Sequence, residues 1–426
     1  TGKTGITKWR GSILRSTLFD EIRKCIPTIH PAAVLRGAYL WRYLIINDLE
    51  KVARHADSPK LNLPRRRLLI DPKYSDVLAF LDSMLKPASG QVATDLEIFN
   101  KQISCFSICS EPNEVMSIPL IHDYARPIWT AEQETEIWLR YAEVLANEET
   151  WKVNQNILFD MHVLWHKNRI NMRGPVGDCM MAHHIIYPDF EKGLDLICSV
   201  CTDEPYYKDD GGKAWKRLTN DWPTFWGYNA KDSAVALEAW NELWPVLEAE
   251  GYWPTYDLTV NNYPWLLSCM DDGIQVDRTR FAHVDKRVDT DLLAKEEQLR
   301  RYADYAFNYR SSKQCMEYFY THKGLKPYVS TKTRKPTADD KALARIFRRY
   351  GLMEARVIQE LRGLNKFKGS YMEIGFDEDG RLRCSFNPRG TKNGRLSSSK
   401  TVFGTGTNLQ NLPEAFQDFL TVDEEL

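Results

Sequence analysis

Three short segments constrain this chain more than anything else in it: Asp95-Leu96-Glu97, then Asn156-Ile157-Leu158-Phe159-Asp160, then Tyr228-Asn229-Ala230-Lys231-Asp232. They supply four acidic side chains and one phenol from well-separated stretches. Gathering four carboxylates in one place is costly through mutual repulsion unless cations neutralise them. A fold that brings them together therefore brings them to metal. Hard Mg²⁺ or Mn²⁺ prefers oxygen ligands, so Asp and Glu are suitable donors. Two such ions about 4 Å apart stabilise both the attacking and the leaving oxygen of phosphodiester hydrolysis.

Each segment is weak on its own. A lone Asp-x-Glu occurs by chance in most proteins, usually as solvated surface. Here it follows the strand-like run Gln91-Val92-Ala93-Thr94, and on an extended strand residues i and i+2 point to one face. Asp160 follows an apolar pair at the expected start of a helix. Tyr228 and Asp232 stand at i and i+4, which share a face on a helix, and 232–244 reads as one. Tyr228 would then orient a water while Asp232 binds metal. The plainer reading is a helix with an exposed Asp and a half-buried Tyr.

The chain has 426 residues, which suggests two to four domains. Its net charge of −1 announces no global basic field, so any nucleic-acid surface is local. The absence of a long apolar run or a signal pattern predicts a soluble intracellular protein with no membrane partner. The nine cysteines are scattered, as in a reducing compartment. Cys198 and Cys201 form one Cys-x-x-Cys without a second pair and read as buried small hydrophobes rather than a zinc or redox site.

Composition divides the chain into blocks. Residues 1–60 contain a turn at His30-Pro31 followed by a helical stretch through Trp41, Leu44, Ile45 and Leu49. Residues 57–66 are polar with two prolines and read as a linker. Strand-like runs at 91–94, 103–109 and 115–119 precede helical patterns at 130–147 and 159–167, which suggests an α/β layer fold. From about 252 to 371 the pattern is mostly helical, with long amphipathic stretches at 281–306 and 339–362.

Together the three acidic segments resemble the proofreading 3′–5′ exonuclease domain of family A DNA polymerases, the bacterial DNA polymerase I type. The resemblance implies a ribonuclease H-like domain, a mixed sheet with flanking helices, over residues 89–251. It implies that Asp95, Glu97, Asp160 and Asp232 bind two Mg²⁺ or Mn²⁺ ions, that Tyr228 places the attacking water, and that Asn156 contacts the single-stranded 3′ end. The family often has Thr after the Glu, where this chain has Ile98. Asp178 is a weaker candidate that supports the fold nearby.

Downstream, residues 381–400 carry six Lys or Arg and no acid, and residues 310–349 carry eleven against three acids. Such stretches attract DNA in a salt-dependent way, although a single charge run is normally a solvated face. The segments Gly390-Thr391-Lys392-Asn393-Gly394-Arg395-Leu396-Ser397-Ser398-Ser399 and Thr407-Asn408-Leu409-Gln410-Asn411-Leu412-Pro413 resemble the family A signature between thumb and palm, with 401–406 as a small insertion. By that resemblance Arg395 and Gln410 lie along a primer-template duplex, and Lys313, Lys368 and Lys392 contact DNA. Residues 252–426 would be a mainly helical, partial thumb and palm. No match to the first catalytic palm motif is seen, so nucleotidyl transfer is not expected from this chain alone. Exposed apolar surface and unpaired strand edges of an incomplete palm lead to the expectation that the chain beyond about Leu382 is disordered or aggregation-prone.

Lys8-Trp9-Arg10-Gly11 followed by His30-Pro31-Ala32-Ala33-Val34-Leu35-Arg36 is similar to the C-terminal half of uracil-DNA glycosylase-like domains. Residues 1–60 would then be a partial α/β glycosylase-like segment without glycosylase activity, joined by 61–88 to the exonuclease domain. That combination resembles phage or phage-derived replication proteins and implies the cytoplasm of a bacterial or phage-infected cell. The leading expectation is a metal-dependent 3′–5′ exonuclease within a truncated DNA-directed DNA polymerase. The alternative is a non-catalytic DNA-binding part of a split polymerase, completed by a second chain that carries palm and fingers.

Overall fold

The computed structural model describes residues 5–16, 23–58, 60–122, 126–211 and 221–421. The chain forms two compact units: residues 1–271 with 387–397, and residues 272–386 with 398–426.

The first unit begins with a short segment leading into helix α1 (Trp41–His55). Arg10 and Asp48 are buried there as an ion pair, at 2% and 0% exposure. Arg10 Nη1 donates to Ser199 Oγ at 2.7 Å, and Lys51 Nζ donates to the carbonyls of Gly11, Ser199 and Thr202 at 2.6–3.1 Å. The N-terminal segment is therefore bonded into the first unit. His30, in the turn, is exposed, and its Nδ1 accepts the Ala32 N–H.

The centre of this unit is a six-stranded mixed sheet. Its strands in chain order are β1 (Arg67–Leu69), β2 (Gln91–Phe99), β3 (Gln102–Glu111), β4 (Glu114–Pro119), β5 (Trp151–Asn154) and β6 (Val176–Asp178). They lie side by side as β6-β5-β2-β3-β4-β1. β2, β3 and β4 form an antiparallel meander, whereas β5 and β6 continue parallel to β2, and β1 runs parallel to β4. The register sets Asp95 opposite Ser107 and Ser107 opposite Ser117. The next row sets Leu96 opposite Phe106 and Phe106 opposite Ile118, and its side chains point to the other face.

Both faces are covered by helices. α2 (Tyr74–Ser83) and α3 (Ala131–Ala146) come first, and α3 starts at a capping box between Thr130 and Gln133. Its Tyr141 stacks on Phe106 at 4.1 Å and shares a 2.5 Å hydrogen bond with Thr94 Oγ1, which places it on the apolar face. α4 (Ile157–Asn168), α5 (Cys179–Ile186) and α6 (Leu194–Cys201) lead to α7 (Trp222–Ala249). The helix expected over 232–244 is longer at both ends. It begins at an Asp221 cap whose side chain accepts the Thr224 N–H, so it includes Tyr228 as well as Asp232. α7 crosses the polar face, where Ser107 Oγ donates to the Asn229 carbonyl and Ser117 Oγ to Asn229 Oδ1, at 2.8 and 2.9 Å. α8 (Trp253–Val260) and α9 (Tyr263–Asp272) complete the unit.

Close packing at the sheet end is set by Gly177 on β6. A β-carbon there would lie 2.8 Å from the Trp240 ring and 3.0 Å from Val153. Gly177→Ala should therefore destabilise the first unit by about 1–3 kcal/mol, the usual cost of overpacking a filled core. Urea denaturation checks this, and an unchanged midpoint would contradict it.

In the second unit, α10 (Arg278–Tyr302), α11 (Asp340–Tyr350) and α12 (Met353–Phe367) surround an apolar core that includes Leu299, Tyr318, Phe319, Leu343 and Ile358. The stretch 339–362 divides into two helices because Gly351 takes a left-handed conformation (φ 67°) at the end of α11. A three-stranded antiparallel sheet places β7 (Ile274–Val276) between β8 (Arg381–Leu382) and β9 (Leu420–Thr421). The expectation of disorder beyond about 382 is corrected for the described residues up to 421. β7 supplies the missing edge partner to both late strands, and Leu382, Phe416 and Phe419 are buried in one cluster.

No described helix is long and apolar enough to cross a membrane.

Candidate metal centre

Asp95 and Glu97 project from the same face of β2, and α7 lays Asp232 against them. One carboxylate oxygen from each of the three lies within 4.8 Å of the others, the only such group of His, Cys, Asp or Glu among the described residues. Asp160, in the first turn of α4, is 3% exposed, and its Oδ1 accepts the Leu96 N–H at 3.0 Å. It thus reaches the strand between Asp95 and Glu97 while standing outside the tightest group.

Several neutral groups fix the acids. Asn229, one residue after Tyr228, donates through Nδ2 to both Asp95 Oδ2 and the Asp95 carbonyl, at 3.0 and 3.1 Å. Its side-chain oxygen accepts from Ser117 and its backbone carbonyl from Ser107, so the row Asp95, Ser107 and Ser117 is tied to one helical residue. Asn154, at the end of β5, donates more weakly to Asp95 Oδ1 at 3.4 Å.

The electrostatics match a site that needs cations. Burial, and then the charge of Asp232, raises the pKa of Asp95. Burial, then Asp95 and Asp232, raises that of Glu97 well above the carboxylate range. Burial and then Asp95 do the same to Asp160. Desolvation and like charge act in one direction here. A hard divalent ion fits this donor set, which is all oxygen with crowded negative charge.

One cation belongs to the chain itself. Lys208 Nζ donates to Asp232 Oδ1 and Oδ2 at 2.7 and 2.6 Å and to the Tyr228 hydroxyl at 3.0 Å. Tyr207 donates its hydroxyl to Asp232 Oδ1 at 2.6 Å. Burial disfavours the charge of Lys208, but Asp232 first, then Asp95 and Glu97, outweigh it and raise its pKa. The Tyr228 ring is held by Gly211, where a β-carbon would lie 2.4 Å from the ring.

Sequence reasoning missed Lys208, Tyr207 and Asn229. Asn229 carried a signal, a polar residue on the same helix between Tyr228 and Asp232. Lys208 lies in an irregular stretch with no periodicity and gave none. Asp178 is not a ligand of the cluster. Its Oδ1 accepts the N–H groups of Asn156, Met180 and Met181, and its Oδ2 accepts the Tyr263 hydroxyl. It caps α5 and, through the Asn156 N–H, steadies the turn that enters α4, where Asn156 is left-handed (φ 66°). Cys198 and Cys201 are free thiols pushed up to about 12 by burial, as expected of inert packing residues.

The proposed DNA contacts are spread over both units. Lys392 and Arg395 are exposed in the part of the first unit formed by 387–397, where Lys392 pairs with Asp189. Lys313 and Gln410 are exposed in the second unit. Lys368, half-buried there, pairs with Asp289 and lies 3.5 Å from Asp285.

Comparison with known proteins agrees with the resemblance to family A DNA polymerases. Residues 278–423 match the family model DNA polymerase family A. The DNA polymerase of Escherichia phage T5 is 24% identical over 408 residues, which cover 87% of this chain and 45% of that protein. The DNA polymerase of Bacillus phage SP01 is 23% identical, with 98% of this chain and 54% of that protein covered. DNA polymerase I of Chloroflexus aurantiacus is 24% identical, with 91% and 41% covered. The chain thus spans about half the length of these curated relatives. A solved structure of the polymerase domain of Pol1 from M. smegmatis, in complex with DNA primer-template and dNTP, shares its fold. The TM-score is 0.63 at 18% identity, covering 84% of this chain and 59% of that one. The chain is thus similar to family A DNA polymerases, and the family's own model matches residues 278–423.

Proposed function

We propose that this chain is a metal-dependent 3′–5′ exonuclease of proofreading type, acting on DNA as part of a family A DNA polymerase system. The observation that carries this reading is the convergence of Asp95, Glu97 and Asp232, with Asp160 bonded to the strand between the first two. The sheet order β4-β3-β2-β5-β6, antiparallel and then parallel with helices on both faces, supports a ribonuclease H-like domain over 89–251.

In this reading Asp95, Glu97, Asp160 and Asp232 hold two Mg²⁺ or Mn²⁺ ions. When bound, the ions supply an activated water and stabilise the leaving 3′ oxygen. Asn229 and Asn154 orient Asp95 for that work. The Tyr228 hydroxyl positions the attacking water, and Asn156 contacts the frayed strand. Residues 252–426, with Lys313, Lys368, Lys392, Arg395 and Gln410, grip primer-template duplex, and 1–60 is a glycosylase-like segment. The setting is the cytoplasm of a bacterial or phage-infected cell.

Digestion of a 3′-labelled single strand tests the reading. Label should be released in Mg²⁺, and release should stop in EDTA. Full activity in EDTA would end the two-metal account. The match of 278–423 to the polymerase family supports a second reading, a DNA-binding part of a split polymerase that needs another chain for palm and fingers. It predicts primer-template binding without digestion, and nucleotide addition only when that partner is present.

A further inference from the structure

Lys208 stands at the place where a cation is required, and neither the acidic motifs nor the polymerase pattern includes it. Its ammonium bonds both oxygens of Asp232, and Tyr207 takes a further lone pair of Oδ1. Its side chain is 18% exposed and that of Asp232 is 7% exposed, so neither charge is well solvated. The lysine is also placed by more than its partners. Its Nζ lies 4.7 Å from the centre of the Tyr228 ring and 5.3 Å from that of Tyr207.

The stretch carrying it is tethered from the N-terminal segment. Lys8 pairs with the adjacent Asp209 and lies over the Tyr206 ring. Trp9 meets Tyr206 edge-on at 5.1 Å, and Ser12 Oγ accepts the Tyr206 N–H at 3.0 Å. A surface lysine that merely drifted to the nearest acid would have no such scaffold.

We infer that Lys208 is a resident counter-ion that competes with divalent metal for Asp232, and so sets the metal concentration at which the site fills. This rests on the metal-site reading above. Lys208 and Tyr207 together take three of the acceptor sites on the Asp232 carboxylate, so a divalent ion ligated there would have to share that group with the ammonium. A divalent ion held by Asp232 would share that carboxylate with Nζ, and like charges so placed repel strongly in a poorly solvated site. The Lys208 ammonium group would therefore have to leave Asp232 for the site to take up metal.

The test is calorimetric titration of Mn²⁺ into the full chain, with melting in EDTA as a second readout. Lys208→Met should bind Mn²⁺ at least about tenfold more tightly, because a competing positive charge is gone, and should melt lower in EDTA. Lys208→Arg should titrate as the original chain does. Lys208→Gln, which keeps a hydrogen bond to Asp232 without charge, should follow the methionine variant and covers the case in which that variant does not fold. Unchanged or weaker Mn²⁺ binding in the neutral variants, with the original chain binding normally, overturns the role of Lys208 and leaves the metal site standing. Mn²⁺ binding by the original chain no better than by Asp95→Ala overturns the metal site and the counter-ion together.

Discussion

Asp95→Ala should abolish release of 3′ nucleotides while leaving duplex binding intact. Asp95 belongs to the tight acidic group, is the residue to which Asn229 and Asn154 both donate, and contributes to raising the pKa values of Glu97 and Asp160. On the proposed metal-site reading, removing it takes away a central ligand and much of the negative field that draws cations. Metal stabilisation of transition-state charge is worth several kcal/mol, so a loss of at least about a thousandfold in rate is expected. Protein stability in EDTA should not fall in step, because the lost carboxylate was held at a cost by burial and by Asp232. Single-turnover digestion and a filter-binding assay on primer-template measure the two effects separately. Retained cleavage would remove Asp95 from the mechanism. Lost duplex binding would mean that the substitution had unfolded the chain.

The sequence made the acids legible because two local rules apply to them. Alternation along a strand joins Asp95 to Glu97, and the helical repeat joins Tyr228 to Asp232. Those rules say nothing about register between strands. The row Asp95, Ser107 and Ser117, which lets one asparagine tie three strands' worth of polar groups together, emerges only when β2, β3 and β4 pair. Lys208 was hidden for a related reason. Its position depends on Lys8, Trp9 and Ser12, roughly two hundred residues away in sequence, and no short-range pattern encodes that contact. The break at Gly351 could have been seen, since glycine in an amphipathic stretch is a common helix end. The pairing of β8 and β9 with β7 could not, because each strand is only two or three residues long.

The second large effect lies far from the acids in sequence. Arg10→Ala should destabilise the first unit by about 3–5 kcal/mol, the usual result of leaving a buried charge without its partner. Asp48 is fully buried, and besides Arg10 it accepts a hydrogen bond from Thr28 Oγ1 at 2.7 Å. A single hydroxyl cannot replace a guanidinium group that donates through Nε at 3.0 Å and through a second nitrogen. Arg10 also reaches Ser199 Oγ, so its loss loosens the segment that tethers Tyr206 and Asp209 beside Lys208. The double variant Arg10→Met with Asp48→Leu should lose far less than the two single changes added together, since a well-packed apolar pair often matches a buried ion pair. Urea denaturation of the single and double variants gives the coupling energy directly. A cost below about 1 kcal/mol for Arg10→Ala, a value typical of solvent-exposed pairs, would show that this pair is not what fastens the N-terminal segment to the sheet-bearing unit.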